Sequence, residues 1–348
     1  MVLSTAEFAN TLVQEVVKKG EIPEKYIYPD SLSEAIDDPD LWRNNLVIDF
    51  SQLFSCTHIV SNHELTKFRS ALSQWGCFLV INHGISESLL EASIKVTKEF
   101  FGMPLEEKMK CAAVEGSLEG YASRLATAKA QTIDWSDRLY LTLHPQPTFH
   151  FWPQNPHNFR VVIDEYSKKL ASIAQGVYKA MARSLNLEED CFLRHQATQG
   201  PVHTWFNYYP PCPCPERVLG VRPHTDGSTM TILLPEKGVE GLQVQKDGLW
   251  YKVPVIPGGL VVILGDIAEV ITNGVFKTVI HRAITNPAKE RISMATFYKS
   301  GSTDDIEAVK ELVGGHRPQM YKKFSMDEYR RMPINSDNPR SRLDGFKS

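Results

Sequence analysis

The sequence predicts an α+β protein in which a β-rich core lies between a helical N-terminal part and a C-terminal helix. Three observations predict this fold. Apolar residues recur at helical spacing before residue 200, short β-rich runs with turn signals fill residues 201–300, and helical spacing returns after residue 318. Such a density of short strands is typical of a β-sandwich or a jelly roll.

Length, charge and composition limit the classes to which the chain can belong. The 348 residues suffice for one large domain with a sizeable core, and a formal net charge of −3 argues against nucleic acid as the main partner. No apolar run approaches the roughly 20 residues that span a membrane. The N-terminus lacks the pattern of a signal peptide, and the six cysteines are scattered, so we expect reduced thiols. We therefore expect a cytoplasmic protein that acts as a monomer, with no nucleic-acid and no membrane partner.

Helical spacing predicts the elements before the β core. A capping box at Ser4 and Glu7 predicts a short N-terminal helix, and a second at Ser61 and Glu64 predicts the start of a longer one. Residues 115–156 show few strong periods, so no element is assigned there. The other elements expected in this part are helices over residues 85–101 and 158–187 and buried strands at NNLVIDF and CFLVIN.

Six β-rich runs define the expected core, and dipeptides such as Asp247-Gly248 and Asn273-Gly274 mark turns between them. The runs are HTWFNYY, TMTILL, GLQVQ, LWYKV, GLVVIL and ERISMATFY. A further helix is expected over residues 318–332. We divide the chain into an N-terminal helical or mixed region, a β core and a C-terminal helical tail, within one compact unit. Their expected ranges are 1–195, 196–302 and 303–348.

A metal-site pattern lies at the entrance of one expected strand. In RPHTDGSTMTILL, His224 and Asp226 are two residues apart, and such residues in a strand share a face about 6.6 Å apart. An isolated pair of this kind would be a surface turn. However, His281 follows later in the same β region. Two imidazoles and one carboxylate form the facial triad expected of a non-haem Fe(II) oxygenase, which leaves three positions of the ion open.

Two further pairs in the β region place polar side chains on one strand face. Arg291 and Ser293 form one pair, and Asn207 and Tyr209 form the other. A guanidinium inside a β core needs an anionic partner because an unpaired buried charge is costly, and a dicarboxylate would supply one. A salt bridge to a distant Glu or Asp is the alternative for Arg291. Each pair alone is a weak signal, whereas HxD, a late histidine and RxS in this order are a strong one.

These motifs resemble, in order and over nearly the whole chain, those of plant-type 2-oxoglutarate- and Fe(II)-dependent dioxygenases of the anthocyanidin synthase and flavonol synthase class. The segments that carry the resemblance are NLVIDF, WGCFLVINHGI, FFGMPLEEK, NYYPPCP, HTD, GLQV, GD, NG, HR and RIS. The resemblance implies a double-stranded β-helix, or jelly-roll, core. Cys214, where Gln or Asn is usual, and the loop LLPEKGVEG depart from the family pattern without touching the implied chemistry.

The resemblance also implies roles for the motif residues. The implied Fe(II) ligands, which are also the catalytic residues, are His224, Asp226 and His281. The implied contacts of the co-substrate 2-oxoglutarate are Asn207, Tyr209, Arg291 and Ser293. The implied oxidoreductase uses O₂, with ascorbate as reductant, and couples oxidative decarboxylation of 2-oxoglutarate to hydrogen abstraction from a small molecule. The outcome would be hydroxylation, O-demethylation, desaturation or cyclisation of a specialised metabolite or hormone.

Position along the strands identifies candidates for a substrate pocket. Trp205 shares a face with the Asn-x-Tyr pair, and Phe297 and Lys299 share the face of the Arg-x-Ser pair. Tyr121 lies in EGYASRL, which resembles a family segment with a substrate-facing tyrosine. Two aromatic residues favour a planar, largely apolar substrate. Core packing of the two aromatic rings and a solvated strand end for Lys299 are the alternatives, and strand alternation could also bring His203 near the pocket.

Two other functions stay open at this point. One is an oxidase of the same fold that consumes O₂ without 2-oxoglutarate, and an assay from which 2-oxoglutarate is omitted distinguishes it. The other is a non-catalytic protein that binds a small molecule. The intact triad argues against it because a binder would not need open iron positions, and substrate-dependent succinate release separates the two.

Overall fold

Two β-sheets form the centre of the structure, which is a computed structural model. It describes residues 12–114, 117–123, 132–194, 200–300, 305–333, 335 and 338–348. The strands in this part of the chain are Ala35–Ile36 (β1), Val47–Asp49 (β2), Cys77–Ile81 (β3), Gly120–Ser123 (β4), Asp137–His144 (β5), Val202–Tyr209 (β6), Leu219–His224 (β7), Met230–Pro235 (β8), Leu242–Lys246 (β9), Leu249–Lys252 (β10), Leu260–Leu264 (β11), His281–Ile284 (β12), Arg291–Tyr298 (β13), Asp305–Ile306 (β14) and Phe324–Ser325 (β15). The major sheet has eight of these strands in the order β2-β3-β11-β8-β13-β6-β5-β4. The minor sheet has five in the order β1-β10-β9-β12-β7, and β14 and β15 form a small ribbon.

The eight consecutive strands from β6 to β13 have the connectivity of a jelly roll. In the major sheet β6, β13, β8 and β11 are neighbours, and in the minor sheet β7, β12, β9 and β10 are neighbours. Neighbouring strands within each of these two sets are antiparallel, so the chain passes back and forth between the two sheets. The predicted α+β jelly roll is therefore confirmed.

Helices cover the outer face of the major sheet, where the main hydrophobic core lies. Phe101, at the end of one long helix, stacks on Tyr208 at 5.3 Å, and Phe159, at the start of the other, contacts Phe206 at 5.4 Å. None of the described helices is both long and apolar enough to span a bilayer. The α-helices are Val13–Val17 (α1), Pro39–Leu41 (α2), Phe50–Leu53 (α3), His58–Gln74 (α4), Glu87–Phe101 (α5), Leu105–Met109 (α6), Phe159–Ser184 (α7), Asp266–Ile271 (α8), Met326–Arg331 (α9) and Ser341–Asp344 (α10).

The start of α4 differs from the expectation. The helix begins at His58 after Thr57, one turn before the expected capping box. Ser61 instead donates its hydroxyl to the carbonyl of Leu53, and Glu64 accepts the backbone N–H of Asp49 at 2.7 Å. These polar residues therefore tie the helix to neighbouring segments instead of capping it. The other expected capping box, at Ser4 and Glu7, lies outside the described residues.

Strand β5 lies in the segment to which the sequence assigned no element. It pairs with β6 from Asp137↔Tyr208 onwards and so extends the jelly roll's major sheet. Polar and apolar side chains alternate along it. The residues facing the helices are Leu139, Leu141 and Leu143, and those facing the interior of the jelly roll are Arg138, Tyr140 and Thr142.

The C-terminal tail packs against α8 instead of forming one long helix. Its helix α9 covers only residues 326–331 of the expected 318–332, and Ser325 caps it in a capping box with Glu328. The Tyr329 hydroxyl donates at 2.7 Å to the buried carboxylate of Asp266 in α8. Asp266 follows β11 of the major sheet and also accepts a hydrogen bond from Thr225 in the loop after β7, so this contact places the tail next to that loop.

Candidate active site

Two histidines meet at the ends of neighbouring strands in the minor sheet. His224 is the last residue of β7 and His281 is the first of β12, and the two are direct partners in the antiparallel register. Their ring centroids are 4.1 Å apart. Antiparallel pairing thus brings together two side chains that are far apart in sequence.

Asp226 completes the group, but it reaches the two histidines from a loop and not, as expected, from the strand that carries His224. The strand ends at His224, so Asp226 lies in the following loop and the strand-face argument for this pair was wrong. The loop turns the carboxylate back, and its Oδ1 lies 3.6 Å from Nε2 of His224 and 3.8 Å from Nε2 of His281. One ligand atom from each residue lies within 4.8 Å of the other two.

Hydrogen bonds fix the orientation of all three side chains. Nδ1 of His224 lies 2.8 Å from the carbonyl of Arg222, and Nδ1 of His281 lies 3.2 Å from the carbonyl of Val279. A carbonyl can only accept, so each Nδ1 carries the proton and each Nε2 presents a lone pair to the shared space. Such contacts orient the ligands of metal sites and raise their basicity.

The donor set therefore fits a divalent transition metal. Two neutral imidazole nitrogens and one carboxylate oxygen, on one side of a common centre, form the facial triad that suits Fe(II) and leaves open positions for other ligands. Within the described residues this is the one group of three or more His, Cys, Asp or Glu side chains with such a geometry. All six cysteines are free thiols.

Arg291 lies at the start of β13 with its guanidinium inside the jelly roll. The residue is 3% exposed, and Nε and Nη1 have no hydrogen-bond partner among the described residues. The guanidinium lies 5.0 Å from the ring of Tyr209. A Cβ on Gly241 would stand 2.8 Å from its Cδ, so the arginine stem uses the space that this glycine leaves.

The geometry around Arg291 fits an anionic ligand. No described carboxylate forms an ion pair with it, and two buried donors are left for hydrogen bonds to a bound anion. The nearby Ser293 hydroxyl accepts a long hydrogen bond of 3.4 Å from the amide of Asn207, its register partner on β6. Arg291, Ser293 and Asn207 share the inner strand face, and we refer to these three polar groups as the Arg291 cradle.

Aromatic side chains continue the inner face beyond this cradle. The rings of Trp205 and Phe297 are 5.2 Å apart, and both residues also pack against the hydrophobic core. The guanidinium of Arg138, on β5, lies 4.7 Å from the Trp205 ring. The predicted pair is thus brought together on the predicted face.

Lys299 follows directly on β13 and is turned inward. Its Nζ donates to the hydroxyl of Tyr140 at 3.3 Å and lies 5.6 Å from the ring of Phe297. Burial, and then the positive charge of Arg330, lower the pKa of Lys299 to about 8, while the carboxylate of Asp226 raises it. These contacts are not those of a solvated strand end.

Tyr121 does not join the other pocket candidates. It is fully buried, and its ring lies 5.6 Å from Phe100 and 6.2 Å from Phe101 of α5. Its hydroxyl donates at 3.3 Å to the side-chain oxygen of Gln14 in α1. The prediction of a substrate-facing Tyr121 is therefore wrong, because strand alternation on β4 points the side chain to the helix-covered face of the sheet.

Several inward residues were missed or only partly anticipated. Strand β5 contributes Arg138 and Tyr140, and the ring of His203 on β6 stacks on Tyr140 at 5.0 Å. Burial, followed by the charge of Lys299, lowers the pKa of His203 to about 3, so the imidazole is neutral. The alternation of leucines with Arg, Tyr and Thr in DRLYLTLH was the signal that could have identified this strand.

The fold and the site together define a class of protein. A jelly roll that carries a His-Asp-His facial triad beside a buried arginine cradle is the arrangement of a non-haem iron oxygenase. Family comparison agrees with this class. Residues 202–300 match the model of the 2OG-Fe(II) oxygenase superfamily, and residues 47–159 match that of the non-haem dioxygenase in morphine synthesis N-terminal region. The chain belongs to the 2OG-Fe(II) oxygenase superfamily.

Individual relatives are similar over almost their whole length. Jasmonate-induced oxygenase 2 of Arabidopsis thaliana is 37% identical, with 89% of this chain and 85% of that protein covered. Codeine O-demethylase of Papaver somniferum is 34% identical, with 96% and 93% covered. The crystal structure of JOX2 in complex with 2OG, Fe and JA superimposes with a TM-score of 0.87 at 34% identity and covers 97% of both chains. The rice dioxygenase for auxin oxidation superimposes with a TM-score of 0.73 at 25% identity, with 87% and 99% covered.

Proposed function

We propose that this 2-oxoglutarate- and Fe(II)-dependent oxygenase binds its iron through His224, Asp226 and His281. The observation that carries the proposal is the convergence of two Nε2 atoms and one carboxylate oxygen within 4.8 Å. Backbone carbonyls hold both imidazoles in the tautomer that a metal requires. When bound, Fe(II) supplies O₂ activation coupled to the oxidative decarboxylation of 2-oxoglutarate.

Arg291, Ser293, Asn207 and Tyr209 would bind 2-oxoglutarate in this proposal. The guanidinium would take the distal carboxylate, because its Nε and Nη1 are buried without a described partner. The Ser293 hydroxyl, which already accepts from Asn207, has its own hydrogen to donate to the same carboxylate. The Tyr209 ring beneath the guanidinium limits its motion and excludes water from one side.

The inner face of the major sheet would hold the substrate. Trp205 and Phe297 form an aromatic wall and Lys299 a polar end, so the substrate is a small molecule with a largely apolar body. The wall positions one C–H bond at the metal centre and shields it from water. Its relatives include a jasmonate-induced oxygenase, a codeine O-demethylase and a dioxygenase for auxin oxidation, and we propose hydroxylation, O-demethylation, desaturation or cyclisation of a plant hormone or specialised metabolite.

Three further features belong to the same proposal. Ascorbate would keep the iron reduced, and the six free thiols suit a reducing compartment such as the cytoplasm. The chain would act as a monomer. Residues 1–195, 196–302 and 303–348 would be parts of one folding unit, which is supported by the presence of strands β2 to β5 in the same sheet as the jelly-roll strands.

The test is Fe(II)-dependent conversion of 2-oxoglutarate to succinate by the purified chain, with iron content measured in parallel. We expect about one Fe(II) per chain and succinate release that a chelator stops and fresh Fe(II) restores. Asp226→Ala should lose both, whereas Asp164→Ala, an exposed carboxylate on α7, should keep both. O₂ consumption without 2-oxoglutarate would indicate the oxidase alternative, and full activity of Asp226→Ala would contradict the iron assignment.

A further inference from the structure

The two ends of β13 each present a cation to the interior of the jelly roll. Arg291 begins the strand and Lys299 follows its last residue, Tyr298. Eight residues of extended chain separate the two cations by about 26 Å, and the even spacing places both on the same face. They are too far apart to bind the same carboxylate.

Lys299 lacks a carboxylate partner in the part of the chain that the structure describes. Its Nζ contacts the Tyr140 hydroxyl and lies 5.6 Å from the rings of Tyr140 and Phe297. The neighbouring charge that acts most on it is another cation, Arg330 of α9, which itself pairs with Asp327 at 3.0 Å. The one carboxylate that raises the pKa of Lys299 is Asp226, whose charge the proposed iron would neutralise.

This environment makes the lysine charge costly in the absence of a ligand. Burial and a second positive charge lower its pKa to about 8, which means that the site disfavours the ammonium form. An anion beside Nζ would offset that cost, as the proposed dicarboxylate would at Arg291. The imidazole of His203, which faces the same space, is neutral and cannot supply the negative charge.

Two hydrogen-bond donors converge at this end of the pocket. The Tyr140 oxygen accepts from Lys299, so the phenol hydrogen is left to donate to a third group. A carboxylate can accept from the ammonium and from the phenol at once. From this point the rings of Phe297 and Trp205 continue the same inner face, and they favour an apolar ring or chain.

We propose that the substrate is a small carboxylic acid whose carboxylate binds Nζ of Lys299 and the hydroxyl of Tyr140, with its apolar body against Phe297 and Trp205. The proposal rests on the proposed function, because it assumes that this face lines the substrate pocket of the oxygenase. It adds the chemical class of the substrate. It also assigns Lys299 and Tyr140 as residues that determine specificity.

The experiment compares acids with their uncharged isosteres. Phenylacetic, 1-naphthylacetic and cyclohexylacetic acids and their primary amides are titrated calorimetrically into the protein under anaerobic conditions, with Mn(II) and saturating 2-oxoglutarate present. Saturation keeps the probes out of the Arg291 cradle. We expect at least one acid to bind roughly tenfold or more tightly than its amide. Lys299→Met should abolish that preference, Lys299→Arg should keep part of it, and Lys289→Met, an exposed lysine, should keep all of it.

Each outcome decides the proposal. Equal binding of acid and amide in the wild type, no binding of any acid, or an acid preference that survives Lys299→Met would overturn it. If Lys299→Met does not fold, the wild-type comparison and Lys299→Arg still decide the result. Failure of the proposed function would show differently, as absence of Fe(II)-dependent succinate release from the wild type, whereas the binding comparison with Mn(II) requires no turnover.

Discussion

The hydroxyl of Thr231 donates a hydrogen bond of 2.6 Å to Oδ2 of Asp226. Thr231 belongs to β8 of the major sheet, whereas Asp226 follows β7 of the minor sheet. The bond therefore joins the two sheets at the proposed metal centre, and it leaves Oδ1 as the atom that faces both histidines. We expect this bond to hold the carboxylate in a geometry that suits the ion before the ion binds.

Thr231→Val should weaken Fe(II) binding by about tenfold to a hundredfold, because the carboxylate loses the group that orients it. The measurement is the dissociation constant of Fe(II) under anaerobic conditions. Thr296→Val is the matched control, since it breaks a buried hydroxyl pair of 2.8 Å with Thr204 on the other face of the sheet. It should lower stability and leave iron affinity unchanged. Equal iron affinity in both variants would refute the positioning role of Thr231.

Arg291→Lys should raise the KM for 2-oxoglutarate by roughly tenfold or more, because lysine keeps the charge but loses the planar pair of donors. Ser293→Ala should act in the same direction by a few-fold, through one lost hydrogen bond to a charged group. Iron content should not change in either variant. The control is Arg43→Lys at an exposed site. An unchanged KM in Arg291→Lys would mean that Arg291 has only a structural role.

Trp205→Ala and Phe297→Ala should still release succinate but couple it poorly to product, because a truncated wall lets the reacting C–H bond move away from the oxidant. The measurement is the ratio of oxidised product to succinate. Tyr121→Phe is the control, since its hydroxyl contacts Gln14 on the helix-covered face and should not influence this ratio. A wild-type ratio in both alanine variants would show that the two rings are ordinary core packing.

Asp137→Asn should flatten the dependence of stability on pH. Asp137 is fully buried and accepts the backbone N–H groups of Val13 and Gln14 at 2.7 and 2.9 Å. Burial raises its pKa to about 7, although these hydrogen bonds lower it. Between pH 4 and 7 the folded state therefore holds a proton that the unfolded state has lost. The contribution of this carboxyl to stability is greatest at low pH and is lost as the pH rises through 7.

The check on this prediction is the free energy of unfolding of the wild type and Asp137→Asn at several pH values from 5 to 8. The difference between them should change by at most about 1.4 kcal/mol per pH unit, the limit for one proton. Asp164→Asn, at an exposed site on α7, should show no such change. A constant difference across the range would contradict the raised pKa of Asp137.

Local pattern alone was sufficient for much of the fold. The spacing of apolar residues predicted α5 and α7 within a few residues, and the β-rich runs correspond to six strands of the jelly roll. Capping signals were less reliable. Ser61 and Glu64 have the right spacing for a helix start, but tertiary hydrogen bonds to Leu53 and Asp49 use their side chains. The alternation of polar and apolar residues in DRLYLTLH is typical of a strand, but the residues around it show no clear helix or strand pattern. Strand β5 was therefore not predicted.

The kind of chemistry can be inferred from local motifs, because HxD, a later histidine and RxS identify a set of donors that few other functions need. How those donors meet depends on contacts between distant segments. Antiparallel pairing of β7 and β12 joins His224 to His281, and a loop, not a strand, turns Asp226 towards them. In the same way, the side chain of Tyr121 lies on the helix-covered face of the major sheet, and the side chain of Lys299 lies beside Tyr140 on the inner face. Such contacts depend on strand register and burial between distant segments, which no local pattern contains.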